Sequence, residues 1–310
     1  MSRRTAAALL AAAVAAPACL NRDYRTAPRV AVVDGDPIVQ MEAPGKFPSL
    51  ENPLSVPFRS HSDPPFRTEK VVGLALGPTP RMYPLGLLDS YEVVNDEAGG
   101  VPFVVARCAL SDLTAVFDRR VAGRVLSFES SGALWRDMLV LKDRQTGTWW
   151  TPASGKALFG PLYGERLAGI PAPVTTADAW EELHPSTVCP ETGDLTAVPL
   201  RLRLYAASSW EGVSGEKTAD SRYKPKERVF FVAGGGEAVA FRAAEIRERR
   251  IVETTLGGSP LAIEWDAALR APRSYRQVVA ARQEVPVLPI YWFALLRHHP
   301  AARTLTGSGG

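Results

Sequence analysis

The sequence predicts a β-rich α+β protein, mostly antiparallel sheets with short helices, built from two related but unequal repeats. Three observations point there. Short apolar runs of strand length, such as Val101–Cys108 and Leu261–Trp265, follow turn pairs such as Gly99-Gly100 and Gly257-Gly258, the pattern of hairpins. Glu69-Lys70-Val71-Val72-Gly73-Leu74-Ala75 recurs as Glu227-Arg228-Val229-Phe230-Phe231-Val232-Ala233, an offset of 158, and Glu97–Pro102 meets Thr255–Pro260 at the same offset. Only Cys19, Cys108 and Cys189 occur in 310 residues, so a large apolar core must hold the fold in place of a disulfide framework.

The chain opens on Met1-Ser2-Arg3-Arg4, an apolar run from Ala6 to Ala16, and small residues before Cys19. A basic head, a short apolar segment and a small-residue cleavage point make residues 1–18 a secretory signal. The run is too short to span a bilayer. Cleavage after Ala18 would release a soluble periplasmic protein, whereas lipoprotein processing would acylate Cys19 and anchor the chain to the envelope membrane. Losing Arg3 and Arg4 takes the formal charge from +3 to +1. A nearly neutral exported protein has no electrostatic case for nucleic acid.

Residues 19–46 read as a Pro-rich tether or an edge-hugging arm, because eight prolines lie between Pro28 and Pro65 and proline removes a backbone donor. The first repeat spans 47–189. It runs from a strand (Val71–Leu76) through Gly77-Pro78 to a second strand, a short helical turn and a Gly-Gly hairpin. It closes on a helix with Ala179, Trp180 and Leu183 as its apolar stripe, Thr175 or Thr176 as its cap, and His184-Pro185 as its stop. Residues 190–226 are a linker whose Tyr205, Trp210 and Tyr223 call for packing against the body. The second repeat, 227–304, ends at His298-His299-Pro300, and 305–310 form a tail. It is about 43 residues shorter. The extra length in the first copy, roughly Arg119 to Tyr163, reads as strands at Thr114–Phe117, Val125–Phe128, Met138–Leu141 and Thr148–Trp150, turning at Val121–Arg124 and Asp143–Gly147.

The motifs concentrate between Tyr83 and Trp150: Tyr83-Pro84-Leu85, Tyr91-Glu92-Val93-Val94-Asn95-Asp96, Gly99-Gly100, Cys108-Ala109-Leu110-Ser111, Ser131-Gly132 and Asp143-Arg144-Gln145-Thr146-Gly147. This arrangement resembles a bacterial family catalogued only as domain of unknown function 3179. That family carries Tyr-Pro-Leu, His-Glu-hydrophobic-Val-Asn-Asp, Gly-Gly, Cys-Pro-Leu-Cys, Ser-Gly-Leu and Asp-Arg-x-Thr-x-Ser-Leu-Trp elements. The resemblance covers roughly Phe47 to Thr304 and implies the fold and an exported setting, but no reaction. Two departures stand out. Tyr91 replaces the family's histidine, and Ser111 replaces its second cysteine. A paired thiol could form a redox disulfide or bind a soft metal, and a histidine could shuttle protons; this chain keeps only Cys108 of the three.

Each motif also has a structural reading. Cys108 reads as a buried cysteine at a strand end, or as one partner of a Cys108–Cys189 disulfide. His184 and His299 read as helix caps near the negative helix end, and His61 stands alone in a loop, so neither a histidine zinc site nor a serine triad is expected. Of Glu92, Asp96, Asp112, Asp118 and Asp143, those beside turns bond their own backbone; Asp112 lacks a turn glycine and is the carboxylate singled out for a pocket. Trp149 and Trp150 must face opposite sides of a strand, one toward the core and the other toward a ligand or a second packed layer. Arg247-Glu248-Arg249-Arg250 reads as a solvated face, or a contact for anionic lipid.

The candidate pocket is therefore Tyr83, Tyr91, Cys108, Ser111, Asp112 and Trp150. The expected role is that of an exported, lipid-anchored or free envelope protein that binds a small ligand or a partner protein. No catalytic residues, metal ligands or cofactor are assigned. The alternative is an enzyme, a thiol- or metal-dependent oxidoreductase or a carboxylate-based hydrolase, centred on Cys108 and Asp112.

Overall fold

The computed structural model describes residues 23–58, 67–191, 199–278 and 281–305. The signal segment, Cys19, His61 and residues 306–310 lie outside the described residues. About 45% of the chain is strand and 14% helix, and the sheets are mostly antiparallel.

Two sheets share one connectivity. In the first, the strands run in the order Val174–Thr176, Lys70–Leu74, Arg81–Pro84, Val188–Pro190, Ser55–Pro57. In the second, the order is Leu288–Tyr291, Arg228–Gly234, Glu237–Phe241, Arg303–Thr304. In both, the central hairpin is antiparallel and its second strand pairs parallel with the strand that follows the closing helix. A short helix then leads into a Gly-Gly hairpin: Leu85–Tyr91 precedes Val93–Ala98 and Val101–Cys108, and Ala243–Arg249 precedes Ile251–Leu256 and Ser259–Asp266. Backbone detail follows the offset of 158. Glu92 and Arg250 end the two helices at φ 60° and 68°, and Asp112 and Arg270 have φ 58° and 51°. Gly77 (φ 71°) abuts Gly99 so closely that a Cβ on Gly77 would sit 2.6 Å from the Gly99 Cα; Gly235 meets Gly257 in the same way at 2.9 Å. Only glycine fits such backbone-to-backbone contacts.

The two halves dock reciprocally. The tip at Ser111 presents its carbonyl to the Tyr291 N–H (2.8 Å), and Asp112 bonds Arg228 at the start of the other half's central hairpin. Conversely, the Leu269 carbonyl accepts the Thr175 hydroxyl, Leu269 packs in one cluster with Val71 and Trp180, and Arg270 pairs with Asp178 (2.9 Å). Each half therefore completes its apolar layer with the other's hairpin tip.

The extra segment of the first half forms a third sheet, ordered Arg29–Val33, Asp36–Gln40, Phe128–Trp135, Met138–Asp143, Trp149–Trp150, Ala157–Phe159. Of the two expectations for this segment, residues 29–40 follow the edge-hugging arm and form a hairpin at the sheet edge, turned at Asp34-Gly35 (φ 50° and 84°). Pro37 is tolerated because only residues 38–40 of its strand pair with the Phe128–Trp135 strand, so its missing N–H lies outside that ladder. The linker is ordered where described and holds a helix, Leu200–Ala207, that the sequence pattern did not suggest. Tyr205 and Tyr223 are buried in the main cluster and Trp210 packs on it.

Three cap expectations change. Thr176 occupies the N-cap, but its hydroxyl bonds the Asp178 carboxylate and not a backbone N–H. His184 and His299 do end their helices, with backbone N–H groups bonded to Trp180 and Leu295. Burial lowers both imidazole pKa values, so they cap as neutral rings, His184 lying 4.1 Å from the Trp180 ring, and not as cations drawn to the helix dipole.

Asp112 is 1% exposed. Burial alone would raise its pKa, but Arg107 and Arg228 outweigh that and hold it below the usual aspartate range. Asp112→Asn should therefore destabilise the protein by about 1.5–3 kcal/mol at neutral pH, the usual worth of hydrogen bonds to a charged group, because Arg107 stays paired to Asp89 and Arg228 is partly exposed. A depressed carboxyl stabilises the fold above its ordinary range and loses that contribution in acid. Urea unfolding should accordingly show the wild-type advantage shrinking as pH falls toward 3.

Candidate functional site

The motif residues divide into two groups. The first group is structural. Tyr83 donates its hydroxyl to Asp96 (2.6 Å), which also takes Arg81 (3.1 Å). Asn95 clamps the third sheet through both Phe128 backbone groups: its Nδ2 donates to the carbonyl (2.7 Å) and its Oδ1 accepts from the N–H (2.8 Å). Asp143 closes its own turn by accepting from the Thr146 N–H and hydroxyl, and it takes the Trp150 indole N–H (3.0 Å). Trp150 is fully buried against Phe128, while Trp149 packs on Phe159 in a separate cluster. Both indoles are core, in two packed layers. Tyr91 packs toward the cluster of Phe58, Val71 and Trp180.

The second group lines a cavity. Glu92, Cys108, Ser130 and Gly132 meet there with Asp89 of the preceding helix, Glu42 of the arm and Arg201 of the linker helix. Its free space is about 40 Å³, enough for a few waters or the head of a compact ligand. Of the six residues expected in a pocket, Cys108 alone lines it. Ser111 is fully buried one turn away, its hydroxyl 3.5 Å from the Cys108 carbonyl. Tyr83, Tyr91, Asp112 and Trp150 belong to the packing just described. Glu92, Ser130 and Arg201 were missed as pocket residues. Glu92 and Ser130 sit inside or beside recognised motifs, and for Ser130 its alternation on a strand was the available signal; Glu92 caps a helix, and Arg201 lies in a linker without any signal.

Local geometry explains the convergence. Glu92 caps the Leu85–Tyr91 helix with a positive φ, its N–H bonded to Leu88 (2.7 Å) and its carbonyl accepting the Arg107 N–H (2.8 Å). Arg250 shares this conformation and is exposed, so the bend belongs to the fold and not to the site. Gly132 has φ 71°, and a Cβ there would meet the Glu42 carbonyl at 2.6 Å, so this wall admits only glycine.

The electrostatics are unusual for so small a space. Burial pushes the Glu92 carboxyl up to about 7 against the pull of the Ser130 hydroxyl and Arg201. Its Oε2 has no hydrogen-bond partner, and neither does the buried Arg201 Nε. Burial also raises the Cys108 thiol, although Ser111 and the Leu139 N–H (3.4 Å from Sγ) draw it down. Cys108 is thus a neutral thiol at pH 7, not an activated thiolate. Asp89 is tied to Arg107 (2.8 Å), which bridges it to Asp112 (2.8 Å). Asp112 accepts three bonds from two arginines, Arg107 and Arg228, which commits it to the contact between the halves. Among the described residues no group of three His, Cys, Asp or Glu side chains is placed to hold a metal ion.

Cys108 and Cys189 are both free and buried, in different apolar clusters, so the disulfide alternative is not realised. Cys108 and Cys189 should each react with a thiol reagent only on unfolding, and disulfide reduction before alkylation should add no further label at either.

Glu92 generates a second test. A carboxyl raised in the folded state stabilises the protein below its ordinary range near 4.5 and loses that contribution as pH rises through about 7. Wild type should lose roughly 1–3 kcal/mol relative to Glu92→Gln between pH 4.5 and 7.5. Parallel unfolding curves for the two proteins over that range would refute the buried-carboxyl assignment.

No curated protein and no solved structure matches the chain. The family model for a protein of unknown function, DUF3179, matches residues 44–294, from the end of the edge arm into the closing helix. The match takes in most of both halves, the third sheet from Phe128 onward and every cavity-lining residue but Glu42, and the chain belongs to this family.

Proposed function

We propose that this is an exported envelope protein, free in the periplasm or anchored through Cys19, that binds a small ligand in the Glu92–Cys108 cavity without turning it over. One observation carries the reading: a carboxyl oxygen and a guanidinium nitrogen, both buried and both without partners, line the same small space. Buried polar atoms are nearly always satisfied, so such a pair argues for a guest. The basic, apolar and small-residue order of residues 1–19 supports export. In this reading the two halves are copies of one unit, and only the copy carrying the third sheet retains a site.

A second reading has a specific observation behind it. A carboxyl with a pKa near 7 beside a thiol is suited to acid–base work, so an enzyme would use Glu92 with Cys108 in place of Asp112. The two readings separate in one experiment. Native and denaturing mass spectra of the protein, purified from the envelope of an expressing bacterium, should show a small mass excess that denaturation releases. The excess should be absent from Glu92→Ala at unchanged Tm. A clean polypeptide mass in wild type would refute the binding reading. A ligand that is chemically altered by wild type but not by Cys108→Ala would establish the enzyme.

A further inference from the structure

We infer that the cavity receives the carboxylate head of a small organic acid, held between Arg201 and Glu92. The inference rests on the binding reading above and adds the class of ligand. Arg201 and Glu92 line one space, yet no ion pair within 4 Å joins them among the described residues. Each instead leaves one buried atom bare, Nε on the arginine and Oε2 on the acid. A guest must therefore accept from the guanidinium, and the guest that accepts best, often through two oxygens, is a carboxylate.

Its second oxygen needs another donor, and protonated Glu92 supplies one. Carboxyl shared with carboxylate through a single proton is a familiar solution where two acids meet in a confined site. The charged and titratable groups facing Glu92 agree with this. Glu42 on the arm and Asp89 on the helix are acidic, the Cys108 thiol is neutral, and Arg201 is the one cation among the lining residues. A second full negative charge entering beside an ionised Glu92 would be repelled, so the guest binds when Glu92 is protonated. The free space of about 40 Å³ takes a head group of a few heavy atoms and little more. Apolar Phe47, Leu134 and Leu139 on the walls suit a short carbon chain behind it.

The test uses the whole mature protein and the probes acetate, formate and the neutral isostere acetamide, in buffers free of carboxylates, followed by NMR chemical-shift titration. Acetate stays ionised throughout, so any pH effect belongs to the protein. Wild type should bind acetate at least tenfold more tightly at pH 6 than at pH 8.5. Glu92→Gln, whose amide N–H imitates the protonated acid, should bind equally at both. Arg201→Met should lose at least tenfold at pH 6 with unchanged Tm. Acetamide binding as well as acetate, with no pH dependence, would overturn the carboxylate assignment but leave the cavity a binding site. Failure of all three probes with wild type and Glu92→Gln overturns the assignment too; if native spectra also show a clean polypeptide mass, the binding reading falls with it.

Discussion

The buried cluster of Asp112 with Arg107 and Arg228 is the interaction on which the rest depends. Asp112 stands at the tip between Val101–Cys108 and Leu113–Asp118, in a left-handed conformation that aspartate tolerates better than most residues. Arg107 comes from its own hairpin and Arg228 from the other half's central strand. A lone buried aspartate would be untenable. Asp112 is satisfied by buried Arg107 of its own half and by partly exposed Arg228 of the other, so its full set of partners is present only when the two halves are docked. The equivalent tip at Leu269-Arg270 reaches back to Thr175 and Asp178 by different chemistry. Hydrophobic closure is therefore symmetric in outline, while the charged contact is a buried lock at Asp112 and exposed at Arg270.

That lock also fixes the candidate site. Arg107 ties Asp112 to Asp89, and Asp89 lies on the helix that ends at Glu92. The helix end, the Cys108 strand end and the interdomain contact are thus one rigid assembly. Against it the third sheet brings Ser130, Gly132 and Leu139, held by the Asn95 clamp on Phe128 and by the Gly132 contact with the arm. The cavity is the gap these two bodies leave, with the linker helix adding Arg201. Its small size follows from this construction: both walls are close-packed cores, and neither can yield much without strain.

The sequence was legible wherever one local rule sufficed. The Gly-Gly turns, the strand alternation, the helix ends at histidine–proline and the burial of Tyr205 and Tyr223 each follow from a short window. Export signals aside, the motif residues were also visible, but their roles were not. Tyr83, Asp96, Asp143 and Trp150 look as polar and as special as Glu92, yet their partners lie within the fold, and only three-dimensional neighbours distinguish a satisfied carboxylate from an orphaned one. The Leu200–Ala207 helix was hidden because its exposed Leu200 and Leu204 break the apolar stripe that reveals a surface helix. The strands of the hairpin at 29–40 were hidden because proline content argues against strands in general, while Pro37 stands where the second ladder has not yet begun.

Comparison of the two halves separates what the fold requires from what is particular to the Glu92 cavity. At the offset of 158, Glu92 faces Arg250, Asp89 faces Arg247, and Cys108 faces Asp266. The fold needs none of the first set, since the second half builds the same helix, bend and hairpin with the other residues. Cavity chemistry and third sheet occur in the same half, and the sheet supplies the wall that buries Glu92. Without it the equivalent bend is solvent-exposed at Arg250, where a carboxyl would titrate normally and have water for every lone pair. A group whose properties depend on being covered is informative only where the cover exists. The asymmetry between the halves, more than any single motif, therefore sets the Glu92 cavity apart from the rest of the scaffold and is the ground on which the ligand proposal stands.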